Sequence, residues 1–358
     1  MSRSNVAETT GPLDILIRSV RSNWLGIALA VLLIAVVAIT VPSFFQPSNL
    51  LNVGRQSAIV GVIAIGMTFV ILTGGIDLSV GSILALSGVT MAMLINSNWL
   101  IGPAILVAIL VGVAAGIVNG IGVAILKIQP FIMTLATMVA IAGISLRVTR
   151  GGPQQFNNRD FVFQALGSGN VLGIPGPFLI FVIVSIAGIL ALRYLTFGRF
   201  LYAIGGSAEA ARLSGVRTKR TLIIAYAISG LTAGLAGVMT ASRIGTGDPT
   251  AGSLANLDAI TAVVIGGTSL MGGTGGAVGT VFGALLLAVL SNVMNLIGIS
   301  PFDQQIVKGA VIVLAVLLAA NATRRRLRQP AVSMPDSSDP PRPRNTPSRE
   351  PSDARSGT

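Results

Sequence analysis

The sequence predicts an all-α, polytopic membrane protein of about ten transmembrane helices, some of them broken at glycine pairs. Three observations lead there. Of the 358 residues, 52% are hydrophobic and 10% charged, against about 25% charged in an average soluble domain. The hydrophobic residues gather in runs long enough, or nearly long enough, to cross a bilayer. Two of those runs stop at a glycine pair, Gly74-Gly75 and Gly266-Gly267, and polar residues follow each stop.

Taken in order, residues 1–22 are polar, carry Arg3, Arg18 and Arg21, and hold a short amphipathic piece at 13–20. They read as a cytoplasmic N-terminus. Trp24 opens an apolar run that Pro42 ends. It is too long for a signal peptide and more runs follow, so it is expected to be the first span, with Trp24 at the interface. Further runs lie at about 57–72, 80–95, 101–126, 131–146 and 178–195, then at 222–241, 257–265, 277–297 and 306–320. The short ones lie beside the glycine pairs, as half-helices would.

An even number of spans puts both ends on one side. The basic residues agree with a cytoplasmic assignment for both ends. The loop 193–220 carries Arg193, Arg199, Arg212, Arg217, Lys219 and Arg220, and Arg324, Arg325, Arg326 and Arg328 follow the last run. The loop 147–176 would lie outside, although it carries Arg147, Arg150 and Arg159. The formal charge of +12 thus belongs to the positive-inside pattern and not to a nucleic-acid face. The tail 324–358, rich in Pro, Ser, Arg and Asp, is expected to be disordered and cytoplasmic.

The chain has no Cys and no His. That removes disulfides, thiolate and imidazole chemistry and most zinc sites. None of Lys127, Lys219 and Lys308 sits in a Gly-Lys-Ser/Thr context, so no phosphate-binding loop is present. No catalytic residue, cofactor or metal is expected, and an enzyme reading is weak.

Chemistry then rests on a few polar residues. Between Trp24 and Thr323 the acids are Asp77, Asp160, Glu209, Asp248, Asp258 and Asp303. Asp160 and Asp248 fall in outer loops, where solvation accounts for them. Asp303 and Asp258 open apolar runs, where an acid complements the helix dipole. Asp77 alone stands at a break, with Gly74, Gly75 and Ser79. Such a break builds a transport path or gate. Asp77 either supports the break or meets the substrate. Asn119, between Gly116 and Gly120, either lines the path or bonds a neighbouring helix. At an offset of 192, Gly74-Gly75 falls on Gly266-Gly267 and Asp77 on Ser269, a short echo of an internal repeat.

In the inner loop, Ser207 can cap a short helix over 208–213 that Gly215 can end. Its small residues Ala210 and Ala211, with Glu209, Arg212 and Leu213, suit either a groove in another protein or an ordinary interfacial helix. On these residues alone, an ion-coupled secondary transporter using Asp77 stays open beside other transporters.

The motifs Gly74-Gly-Ile-Asp-Leu-Ser-Val-Gly81, Pro130-Phe-Ile-Met-Thr-Leu135, Gly198-Arg199 through Gly215, Leu257-Asp-Ala-Ile260 and Val263-Val-Ile-Gly-Gly-Thr-Ser-Leu270 occur in order. Together they resemble the permease of bacterial ABC importers for ribose and similar simple sugars, over roughly residues 43–320. Asn256 stands where that family carries Glu. The resemblance implies a transmembrane permease domain over 23–323, a homodimer in the inner membrane, ATPase subunits inside and a periplasmic sugar-binding protein outside. It implies alternating access, no catalytic residue in this chain, and an ATPase-coupling role for Ser207, Glu209, Ala210, Ala211, Arg212, Leu213 and Gly215. Gly74, Gly75, Asp77, Ser79, Asn119, Gly266 and Gly267 are the expected path or gate.

Overall fold

The computed structural model describes residues 41–157 and 159–327. The expected amphipathic piece at 13–20, the run from Trp24 and the tail from 328 onward lie outside the described residues, whereas 324–327, expected in the disordered tail, end the last helix. The chain divides into two units, Met1–Ala319 and Ala320–Thr358. Of the second, the described part is the end of the last helix.

A 3-10 turn at Pro42–Phe45 leads into helix α1 (Pro47–Leu72). There follow α2 (Val80–Asn96), α3 (Ile101–Ala124) and α4 (Pro130–Thr149). The loop after α4 holds a short strand β1 (Gln154–Gln155), α5 (Phe161–Gly167) and the two-residue strands β2 (Asn170–Val171) and β3 (Ile174–Pro175). Then come α6 (Gly176–Tyr194), α7 (Thr196–Gly206), α8 (Ala208–Leu213) and α9 (Thr218–Ile244). Strand β4 (Thr246–Gly247), α10 (Ala255–Ile265), α11 (Ala277–Leu296) and α12 (Pro301–Leu327) complete the described residues.

The protein is therefore all-α, with paired strands only as loop clasps: β1 pairs antiparallel with β4, and β2 with β3. Six helices among the described residues, α1, α3, α4, α6, α9 and α11, are long and apolar enough to cross a membrane. Two others, α2 and α10, are apolar but shorter. Each short one lies next to a glycine break.

Helix α1 is the core. From Ala58 to Leu72 nearly every side chain is buried, whichever way it points. A helix that is apolar all round is stable only when surrounded, and α1 is packed by α6, α9, α10 and α11. A buried hydroxyl pair, Thr68 Oγ1 and Thr280 Oγ1 at 2.7 Å, ties it to α11. Lipid tails are as apolar as leucine, so helices in a bilayer associate through close van der Waals contact more than through expulsion of water. The tight pair here is α3 with α9. Gly112, Gly116 and Gly120 repeat every fourth residue on one face of α3. A Cβ on Gly112 would collide with the Gly230 carbonyl oxygen and lie 3.0 Å from the Gly234 Cα.

The outer loop 147–176 contains a helix of its own, α5. Asp160, expected to be merely solvated, caps α5 by accepting from Val162 N at 2.8 Å. The inner loop likewise holds one more helix than expected. Helix α7 buries Gly198, Leu201 and Ile204, a three-residue spacing visible in the sequence but masked by its arginine and tyrosine.

Gly112→Ala should loosen the α3–α9 crossing by about 1–3 kcal/mol, the usual cost of overpacking. Gly102→Ala, on the same helix with nothing within 4 Å, should be neutral or slightly stabilising. Thermal unfolding of the two variants in detergent, compared side by side, measures this difference.

Candidate functional site

The break between α1 and α2 is built from its backbone outward. Thr73 N and Gly74 N donate to the last carbonyls of α1, and Gly74 turns with φ +80°. That left-handed conformation is open to glycine without penalty. Asp77 then organises the start of α2. Its Oδ1 accepts from Ser79 N at 3.0 Å and Ser79 Oγ at 2.6 Å, and its Oδ2 accepts from Ser229 Oγ of α9 at 2.8 Å. Asn119 of α3 donates to Ser79 Oγ at 2.8 Å. Thr134 of α4 donates to the Ile76 carbonyl at 3.2 Å. Asp77, Ser79 and Asn119 are all fully buried. A carboxylate at a helix start also complements the dipole of that helix.

Asp77, Ser79 and Asn119, singled out in the sequence, thus stand together. Their contacts are structural ones: the acid is bonded to protein donors, and Asn119 bonds a neighbouring segment. Ser229, Thr134 and Tyr226, whose hydroxyl abuts Gly75, were not foreseen. The available signal was weak, since Tyr226 and Ser229 are two polar residues three apart in an apolar run. Asn119 Oδ1 and Tyr226 Oη have no hydrogen-bond partner among the described residues.

The second break repeats the construction. Helix α10 ends at Ile265, and Gly267 turns with φ +83°. The turning glycine is the second of its pair here and the first of the pair in Gly74-Gly75, so the structural echo is one residue off the offset read from the sequence. The two breaks touch. Gly273 N donates to the Leu72 carbonyl at 3.0 Å, and a Cβ on Gly272 would lie 2.7 Å from Gly74 N. A third glycine joins them. A Cβ on Gly205, at the end of α7, would meet both the Leu72 carbonyl oxygen and Gly273 N. Tyr202 of α7 donates to the Gly275 carbonyl at 2.9 Å, and burial pushes its phenol above the ordinary value, which keeps that donor protonated.

Helix α8 follows directly. Ser207 Oγ accepts from Ala210 N at 3.2 Å, and Gly215, with φ +83°, closes the other end. Glu209 and Arg212 form a two-pronged pair at 2.6 and 3.1 Å. The Arg212 guanidinium holds the Glu209 carboxyl below the usual range. Both side chains are exposed, so the pair adds little stability. The helix has two faces: Ala211 is buried, whereas Ala210 is exposed and Leu213 is 74% exposed.

At the other end of α1, a cavity of about 300 Å³ is lined by Asn49, Asn52, Arg55, Gln56, Arg243 and Asn292, among others. Asn49 and Asn292 exchange amide hydrogen bonds at 2.9 and 2.8 Å. Arg55 donates to Asn52 and Asn170. No acid lines this mouth. Among the described residues no group of acids stands close enough to hold a metal.

A helical membrane domain, two glycine breaks in contact, a polar mouth and an exposed capped helix define a membrane transport component. The family described as "Branched-chain amino acid transport system / permease component" matches residues 49–316, and the chain belongs to it. It is similar to the ribose import permease protein RbsC of Bacillus subtilis (strain 168), 47% identical over 80% of this chain and 89% of the relative. It is similar to the protein of the same name from Escherichia coli (strain K12), 45% identical over 82% and 91%. The xylose transport system permease protein XylH of Escherichia coli (strain K12) is 35% identical over 84% and 94%. No solved structure matches it. The chain is a multi-pass inner-membrane permease subunit of an ABC importer, a transporter component and not an enzyme, and membership implies ATPase and periplasmic binding-protein partners.

Ser229→Ala should cost about 1.5–3 kcal/mol, the range for a hydrogen bond to a charged group. Asp77→Ala should cost more, because it leaves several donors without an acceptor. In a double-mutant cycle read by thermal unfolding, the two changes should be coupled. Strict additivity would show that the Asp77–Ser229 bond does not hold the break.

Proposed function

We propose that this chain forms the path by which a simple sugar, ribose or a close pentose, enters the cell. The family description names branched-chain amino acids and the relatives at 45–47% identity name ribose. The closer similarity over most of both chains favours the sugar. The permease domain spans 23–323 with about ten crossings, both termini are cytoplasmic, and 324–358 is a cytoplasmic tail. Two copies form the working importer, with sugar passing between them. The polar mouth around Arg55 and Asn292 faces the binding protein, and helix α8 faces the ATPase.

One observation carries the mechanism: Gly205, three residues before α8 begins, lies against the backbone of both breaks. A displacement of α8 by the ATPase has no slack to absorb it at that point, because glycine backbone touches backbone. It is delivered to the ends of α1 and α10 together. The breaks are where these helices change direction, so they are the gate that alternating access needs. The ion-coupled alternative is not favoured, since the Asp77 oxygens are bonded to protein donors and the relatives are importer permeases.

Two measurements test this. Proteoliposomes holding the permease, its ATPase and its binding protein should take up ribose with ATP and leave leucine outside; uptake of leucine alone overturns the sugar reading. Ala210→Glu and Leu213→Asp, both on the exposed face of α8, should leave membrane insertion intact. They should abolish the stimulation of ATP hydrolysis by binding protein. Undiminished transport by both variants rules out α8 as the coupling element.

A further inference from the structure

Asp258 and Lys308 form an ion pair at 3.0 Å between α10 and α12. It is one of two ion pairs among the described residues, the other being the solvent-facing pair on α8. Its place is unusual. Lys308 is the eighth residue of α12, about 10 Å along the helix, between Ile306-Val307 and Ala310-Val311-Ile312. Asp258 is in the first turn of α10, beside the start of α2: a Cβ on Gly81 would lie 3.8 Å from Asn256 N. The pair therefore stands beside the start of α2 and about two turns into α12.

Its side chains are nevertheless 27% (Lys308) and 21% (Asp258) accessible. Charged groups inside a membrane protein face the bundle interior or a water-filled cavity, and they mark substrate pathways. A pair open to hydrocarbon would keep its charges without the solvation they need. An aqueous surface would supply that solvation. The surroundings agree. Asn256 next to it is buried, with its Oδ1 on Leu257 N at 2.9 Å and its Nδ2 facing Met138 Sδ at 3.8 Å. Among the described residues of α12, Gln304 donates to Asn295 Oδ1 at 2.8 Å and to the Ile299 carbonyl at 3.0 Å.

We propose that Asp258 and Lys308 line the water-filled path and bind a neutral polyhydroxylated substrate, the carboxylate accepting from one hydroxyl and the ammonium donating to its neighbour. This rests on the sugar reading above. A carboxylate and an ammonium 3.0 Å apart match two adjacent hydroxyls, and charge-assisted hydrogen bonds are the strong ones. The pair also stays neutral overall, so a sugar can leave it.

The absence of cysteine makes a direct test available in the assembled importer. Leu254→Cys and Ile312→Cys sit one turn from the pair, before Asp258 and beyond Lys308. Both should react with a water-soluble methanethiosulfonate, and ribose should slow that reaction. Reaction only with a lipid-soluble maleimide, reaction with neither reagent, or reaction that ribose leaves unchanged each overturns the proposal. In transport, Asp258→Asn should raise the KM for ribose about tenfold, a loss of one strong bond, with assembly preserved. The uncharged pair Asp258→Leu with Lys308→Leu separates the roles. Wild-type KM in an uncharged pair that still assembles would show that the ion pair only holds two helices together, and would overturn substrate binding. An importer that moves no ribose even with wild-type residues refutes the sugar reading instead; reaction of the two cysteines still reports whether the path is wet.

Discussion

A helix that breaks inside a bilayer exposes backbone N–H and C=O groups where no water is available, and each must find a partner within the protein. This constraint shapes the region between α1 and α2. The Leu72 carbonyl is taken by Gly273 N, and Asp77 accepts the N–H of Ser79, the residue that caps α2, together with two serine hydroxyls. Through Ser229, Asn119 and Thr134 the same small loop binds α9, α3 and α4. Its satisfaction therefore orders much of the bundle, which is why an acid that is costly to bury persists there.

Two kinds of contact carry the rest. Around α1 the contacts are side chain to side chain, and the helix is enclosed by its neighbours. Between α3 and α9, and where Gly205 meets the breaks, they are backbone to backbone. The first kind tolerates small adjustments because side chains can repack. The second does not, since glycine has no atoms to rearrange. Under the coupling proposed for α8, motion entering there would meet the stiff kind of contact first.

The polar groups differ in how far they are enclosed. Asp77 is enclosed and bonded on both oxygens, as a structural acid must be at such depth. Asp258 and Lys308 neutralise one another yet keep part of their surface open. The mouth lined by Asn49, Arg55 and Asn292 uses amides and guanidinium groups with no acid to balance them.

Much of this was written in the chain itself. Composition and the apolar runs determine an all-α membrane protein, because hydrocarbon admits few other solutions. Local chemistry determines where helices stop: Gly74, Gly267, and the caps of α8 at Ser207 and Gly215 depend on neighbours a few residues away. Motif order made the importer family recognisable before any coordinates. Helix α7 escaped because arginine and tyrosine interrupt its short apolar face. What only the tertiary structure decided are the pairings across long separations: Asp77 with Ser229, Asp258 with Lys308, and Gly205 with both breaks. The reason is physical. A sequence states how apolar each face of a helix is, but helix packing sets which faces meet and which polar groups come within 3 Å. Asp258, read alone, was an acid at a helix start; its partner fifty residues later gave it another character.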